Sequence, residues 1–185
     1  MKYIFIIIML QVSALTTAEE LIDESHHVIS LGGGLGVSRW AEVHGFDEER
    51  LNLKHHYDVA YRYQFTPCWG GEIGYMYQKI TGTLILNPLT SAYIDKVSSF
   101  RLAAVYSQPL SQRSSFLFKL GIAQYNVIAN FRYDDEHVVT DNEGVGALTS
   151  LGWQYNFAPN YEFSLVYTYQ KFDTNTLTAN FGYRF

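Results

Sequence analysis

From residue 28 to the end, apolar and polar side chains alternate with a period of two, and the pattern restarts eight times. Successive side chains on a strand point to opposite faces, so each run specifies a strand with one greasy face and one polar face. The runs fall at 28–38, 53–65, 69–78, 97–108, 115–125, 145–157, 161–170 and 176–185. In the last, Phe181, Tyr183 and Phe185 alternate with Gly182 and Arg184. In the third, Trp69, Ile73, Tyr75 and Tyr77 alternate with Glu72, Gly74, Met76 and Gln78.

A soluble β-sandwich also alternates, but two features argue against one here. Bulky rings occupy the apolar face of the strands, and isolated charges sit deep in the polar face. The connections also alternate in length: short at 66–68, 109–114 and 158–160, long at 39–52, 79–96 and 126–144. Short turns at one end and long loops at the other are the asymmetry of a barrel that spans a membrane. The expected fold is therefore all-β, an eight-stranded antiparallel up-and-down transmembrane barrel preceded by a cleavable signal peptide. An even strand count returns both termini to one side, expected to be the periplasm.

Residues 1–18 carry the marks of an export signal. Lys2 is followed by an apolar stretch over 4–10, and Thr16 and Ala18 occupy small-residue cleavage positions; cleavage after Ala14 is an alternative. The apolar stretch is far shorter than the roughly 20 residues of a membrane-spanning helix. The expected organisation is a signal at 1–18, a short periplasmic segment at 19–27 and a barrel domain at 28–185. The alternative cleavage site would move only the first of these boundaries.

Composition excludes several function classes. Removing residues 1–18 leaves 12 basic against 18 acidic side chains, a poor balance for holding nucleic acid. Cys68 is the single cysteine, so no intramolecular disulfide and no thiolate metal cage can form. Its expected role is that of a turn residue. His26 and His27 make only a pair, too few for zinc. Fifteen Tyr fit a membrane–water interface, where a ring needs apolar surroundings and a hydroxyl needs water. Mean hydropathy is nevertheless close to zero, as expected when half of each strand faces lipid and half the interior. No cofactor is expected.

Eight strands enclose an interior just wide enough for side chains to fill. The inward positions include Arg62, Arg101, Lys119 and Arg184, and also Asp58, Glu72 and Glu162. Unpaired, any of these would cost several kcal/mol, so a salt-bridged plug is expected, with an ion path as the alternative.

The segments over 51–54 and 61–64, the stretch over 152–160, and the ending Phe181-Gly182-Tyr183-Arg184-Phe185 resemble the small outer-membrane family typified by OmpX, Ail and the OmpA transmembrane domain. The resemblance covers essentially the whole chain after the signal. It implies an integral outer-membrane protein with lipopolysaccharide and outer-membrane lipid as surroundings. It also implies that Phe181, Tyr183 and Phe185 are read by the outer-membrane assembly machinery. The family's activities are mostly adhesion, host-factor binding and envelope integrity, and they reside in loops. No peptidoglycan-binding half is expected after Phe185. The loops here are acidic, unlike those of a heparin binder: Asp47, Glu48 and Glu49 in the first, and Asp134, Asp135, Glu136, Asp141 and Glu143 in the third. They suit solvation, bridging cations or a basic host or surface ligand. In the second loop, Leu84, Ile85, Leu86 and Leu89 are either partner contacts or extensions of the neighbouring strands.

Two other functions are open to a barrel of this size. Some barrels of this size modify lipid A, which needs an activated Ser with a His base and an acidic orienter. Ser38, His56 and Asp58 share the inward face and could supply it, although no transferase or deacylase signature accompanies them. His55 points the other way, toward lipid headgroups. The inward glycines could instead leave a conduit for small solutes. The expected function is non-enzymatic: a barrel presenting acidic loops for surface interaction, adhesion or envelope integrity.

Overall fold

A computed structural model describes residues 26–38, 53–79, 92–133, 136–171 and 174–185. Within these, the elements are β1 (His27–Ser38), β2 (Leu53–Gln64), β3 (Trp69–Lys79), β4 (Ala92–Pro109), β5 (Ser114–Tyr133), β6 (Glu136–Ala158), β7 (Tyr161–Gln170) and β8 (Thr174–Arg184). Each strand pairs antiparallel with its sequence neighbours, and β1 also pairs with β8, which closes the barrel. Closure satisfies backbone groups that lipid cannot. The expected signal over 1–18, and most of the segment over 19–27, lie outside the described residues.

Both faces follow the alternation. On β7 the even positions Glu162, Ser164 and Val166 are buried while Tyr161, Leu165, Tyr167 and Tyr169 are exposed. Phe181 and Tyr183 on β8 and Phe185 just after it are exposed, and Thr178 and Asn180 are buried. What is buried is largely polar, so the core is a lumen held by hydrogen bonds and ion pairs. Two small apolar clusters interrupt it, one around Val97, Ala123, Val127 and Leu148, the other of Val105, Leu117 and Val166.

The three short turns and the strand ends at His27 and Phe185 share one end of the barrel. Phe65 N–H donates to Trp69 O at 2.8 Å, and Trp69 N–H to the Thr66 hydroxyl at 3.0 Å. His27 N–H donates to Phe185 O at 3.2 Å and Phe185 N–H returns to His27 O at 2.9 Å. His27 is thus the first residue of β1 and not part of a segment outside the barrel. Its ring stacks on Phe185 with centroids 5.5 Å apart, and its Nδ1 lies 2.6 Å from the Tyr61 hydroxyl. Cys68 is buried in the first turn, where burial pushes its thiol above the ordinary range. That disfavours the reactive thiolate.

Three strands run longer than the alternation implies. β4 begins at Ala92, β5 ends at Tyr133 and β6 begins at Glu136, so 92–96 and most of 126–144 are strand and not loop. β5 and β6 pair continuously from Ser114↔Tyr155 to Tyr133↔Glu136. The β6–β7 pairing begins at Leu148↔Gln170, with Lys171 N–H donating to Ala147 O at 2.9 Å, so among the described residues Glu136–Gly146 pair with β5 alone. A ribbon of β4, β5 and β6 therefore continues past the barrel wall, with a bulge between Ile94 and Lys96.

Candidate functional site

The seven inward charges sort into two groups. Near mid-barrel, Arg101 holds Asp58 through both terminal nitrogens and donates from Nε to Glu72 at 3.0 Å. Lys119 donates to the other Glu72 oxygen at 2.6 Å. Two cations and two carboxylates balance, and all four side chains are at least nine-tenths buried. Nearer the turn end, Arg62 donates to both Glu162 oxygens at 2.8 Å, and Arg184 donates to Glu162 at 3.1 Å. Gln154 joins this group, donating to Glu162 at 3.0 Å.

Each group rests on a glycine directly across a strand pair. Gly74 faces Arg101 and Gly182 faces Glu162. A Cβ at Gly74 would fall 2.6 Å from Arg101 Cζ, and one at Gly182 2.6 Å from Glu162 Cγ. These glycines make room for charged side chains. The remaining space bounded by Asp58, Arg101, Lys119 and Thr178 is a cavity of about 10 Å³, close to the room one water needs.

Toward the loop end the lumen turns neutral. His56 Nε2 lies 2.7 Å from the Thr178 hydroxyl. His56 Nδ1, both amide atoms of Gln78, and Gln170 Oε1 are buried without a hydrogen-bond partner among the described residues. The catalytic arrangement of Ser38, His56 and Asp58 is not assembled. His56 lies opposite Gly34, whereas Ser38 lies opposite Thr174, four residues further along β1, about 13 Å of strand. Asp58 is committed to Arg101.

Of the acidic loop positions, Asp47, Glu48, Glu49, Asp134 and Asp135 lie outside the described residues, as do Leu84, Ile85, Leu86 and Leu89. Glu136, Asp141 and Glu143 are strand residues of β6, opposite Tyr133, Ile128 and Asn126. Glu143 is exposed and accepts from Asn126 Nδ2 at 3.0 Å. Among the described residues, no group of three or more His, Cys, Asp or Glu is placed to hold a metal ion.

Residues 6–185 match the model of the outer membrane protein β-barrel domain. The chain belongs to that family. It is an integral outer-membrane protein, and its barrel superposes on solved structures of similar size. Neisserial surface protein A aligns with a TM-score of 0.64 at 13% identity, covering 87% of this chain and 98% of that one. Ail, the attachment invasion locus protein of Yersinia pestis, aligns at 0.57 and 18%, covering 87% and 99%. The N-terminal β-barrel domain of Pseudomonas aeruginosa OprF aligns at 0.57 and 14%, covering 87% and 98%. At such identities the likeness shows the fold alone. No curated protein matches the chain.

Proposed function

We propose that this barrel is a non-enzymatic surface protein whose lumen is closed and whose working part is the β4–β5–β6 ribbon with the loops around it. The turn end and both termini face the periplasm in this reading, and the ribbon faces outward. The observation that carries it is the ribbon itself. Strands that pair beyond the level a membrane requires gain nothing from lipid, so their extra length presents side chains to the outside. Phe181, Tyr183 and Phe185 serve as the assembly signal.

Ail has been crystallised with the heparin analogue sucrose octasulfate. The acidic residues Asp134, Asp135, Glu136, Asp141 and Glu143 repel a polysulfated ligand and favour a basic or cation-bridged surface. Replacing all five by Asn or Gln tests this through adhesion of intact cells to a polylysine-coated surface. Adhesion should fall severalfold; unchanged adhesion removes the acidic ribbon as the binding element. Planar-bilayer recording tests the closed lumen, and a large steady conductance would favour a solute conduit instead.

A further inference from the structure

The seam that closes the barrel is fastened unevenly along its length. β1 and β8 are the first and last strands, so no turn joins them and the seam depends on what passes between them. At the turn end that hold is dense. Ile29 faces Tyr183 and Leu31 faces Phe181 across the seam. The His27 ring stacks on Phe185, lies 5.1 Å from the Tyr63 ring and reaches the Tyr61 hydroxyl. One side chain thus joins β1, β2 and β8.

On the loop side of Leu31, β1 is nearly bare. Gly32, Gly34 and Gly36 take the inward positions, and Gly33 takes the outward one between the first two. Asn180, Ala179, Thr178 and Thr176 on β8 each face one of these glycines. Cross-strand side-chain pairs stabilise a sheet beyond its backbone bonds, and a glycine contributes no side chain to such a pair.

A different contact spans the bare strand. Gly34 lies directly opposite both His56 on β2 and Thr178 on β8. His56 Nε2 and the Thr178 hydroxyl are 2.7 Å apart and both side chains are buried, so the bond passes over β1 from one neighbour to the other. A Cβ at Gly34 would fall 2.8 Å from His56 Cε1, so a side chain there would push the ring away. His56 Nδ1 has no hydrogen-bond partner among the described residues, which leaves the Thr178 bond as the ring's anchor there.

We propose that the β1–β8 seam is a hinged closure, fixed at its turn end by His27 and its ring contacts and latched in its loop half by His56 on Thr178. When the latch parts, β8 separates from β1 on the loop side of Leu31 while β1 stays on β2. Lipid offers no partner to the backbone groups this frees. The lumen does: both amide atoms of Gln78, beside Gly36, and Asn180 Oδ1, beside Gly32, are buried and unpartnered among the described residues. The latch acts within the barrel wall, whichever way the ribbon faces.

Strand parity makes the seam readable residue by residue. His27 exchanges both backbone bonds with Phe185, so odd residues of β1 bond to β8 and even ones to β2. Arg184 N–H donates to Asn160 O, so even residues of β8 bond to β7 and odd ones to β1. The Leu35 and Leu177 amides therefore report on the loop half of the seam, and those of Ile29 and Tyr183 on its turn half. Gly36 and Thr176 report on the neighbouring pairings close by.

The test is amide hydrogen exchange of the protein in lipid nanodiscs, followed by NMR, with each rate compared with that of the parent. Thr178→Val should raise the Leu35 and Leu177 rates about fivefold or more and leave Gly36, Thr176, Ile29 and Tyr183 unchanged. Thr178→Ser keeps the hydroxyl and should keep the parent rates. His56→Leu should match Thr178→Val, and the double variant should add nothing, because both remove the same bond. Ser150→Ala is the control. It removes a hydroxyl pair with Thr168 across β6 and β7, 2.9 Å long, and should leave the β1–β8 seam as it is. A heat-dependent gel shift confirms that each barrel has formed. In Thr178→Val, a rise shared by Gly36 and Thr176 would mean fraying of strand ends and would overturn the hinge. Unchanged Leu35 and Leu177 rates, an equal rise at Ile29 and Tyr183, or the same rise with Ser150→Ala would overturn the latch.

Discussion

The two ion-pair groups inside the barrel are built from the same residue types under different constraints. The mid-barrel group is electrically balanced and sealed, with Arg101 and Lys119 against Asp58 and Glu72. The turn-end group carries two arginines on one carboxylate, and Arg184 keeps 26% of its side chain exposed. A sealed site must balance its charges, because each unpaired ion there costs several kcal/mol. A site near the mouth tolerates an excess cation, because water and salt screen it. The mid-barrel group is thus balanced by its own pairs, and the turn-end group by its pairs and by solvent.

Substitutions can break or sharpen that difference. Glu72→Ala should be the most damaging, since it strips Lys119 of its carboxylate in the sealed region and leaves Arg101 with Asp58 alone. A loss of about 3–5 kcal/mol is expected from urea unfolding of the refolded barrel. Glu162→Ala should cost less, about 2 kcal/mol, because Arg184 can turn to solvent while Arg62 keeps Gln154 at 3.3 Å. Equal losses for the two would end the distinction between a sealed and an open group. Gly74→Ala pushes a methyl against the Arg101 guanidinium and should cost about 1–2 kcal/mol while leaving every charge in place. Its readout is the unfolding midpoint together with a single-channel trace, in which displaced Arg101 should raise the conductance. Arg184→Ala should have the smallest effect, about 1 kcal/mol or less, and that effect should fade in high salt. If the Arg184→Ala loss persisted in molar salt, the turn-end group would be as sealed as the mid-barrel one.

Which charges face inward was legible from the alternation, because side-chain direction depends only on the period of a strand. Who pairs with whom was not. Arg62 and Glu72 are directly opposite on β2 and β3, the pairing that cross-strand proximity favours. The closed barrel gives Arg62 to Glu162 across the lumen and Glu72 to Arg101 and Lys119. The one signal that could have pointed to these partners is a glycine opposite a long charged side chain. It becomes visible only once the register is known.

The sequence by itself determined eight membrane-crossing segments, their two faces and the position of the short turns, because lipid on one side imposes an alternation that can be read residue by residue. It did not determine where β4, β5 and β6 end. Beyond the apolar band both faces meet water, so Asn126 and Glu143 occupy outward positions and the alternation fades although the strands continue. Hydropathy marks the edge of the lipid, whereas strand length follows backbone pairing between β5 and β6, which is indifferent to side-chain polarity. Only the tertiary structure decided that length and the ion-pair partners.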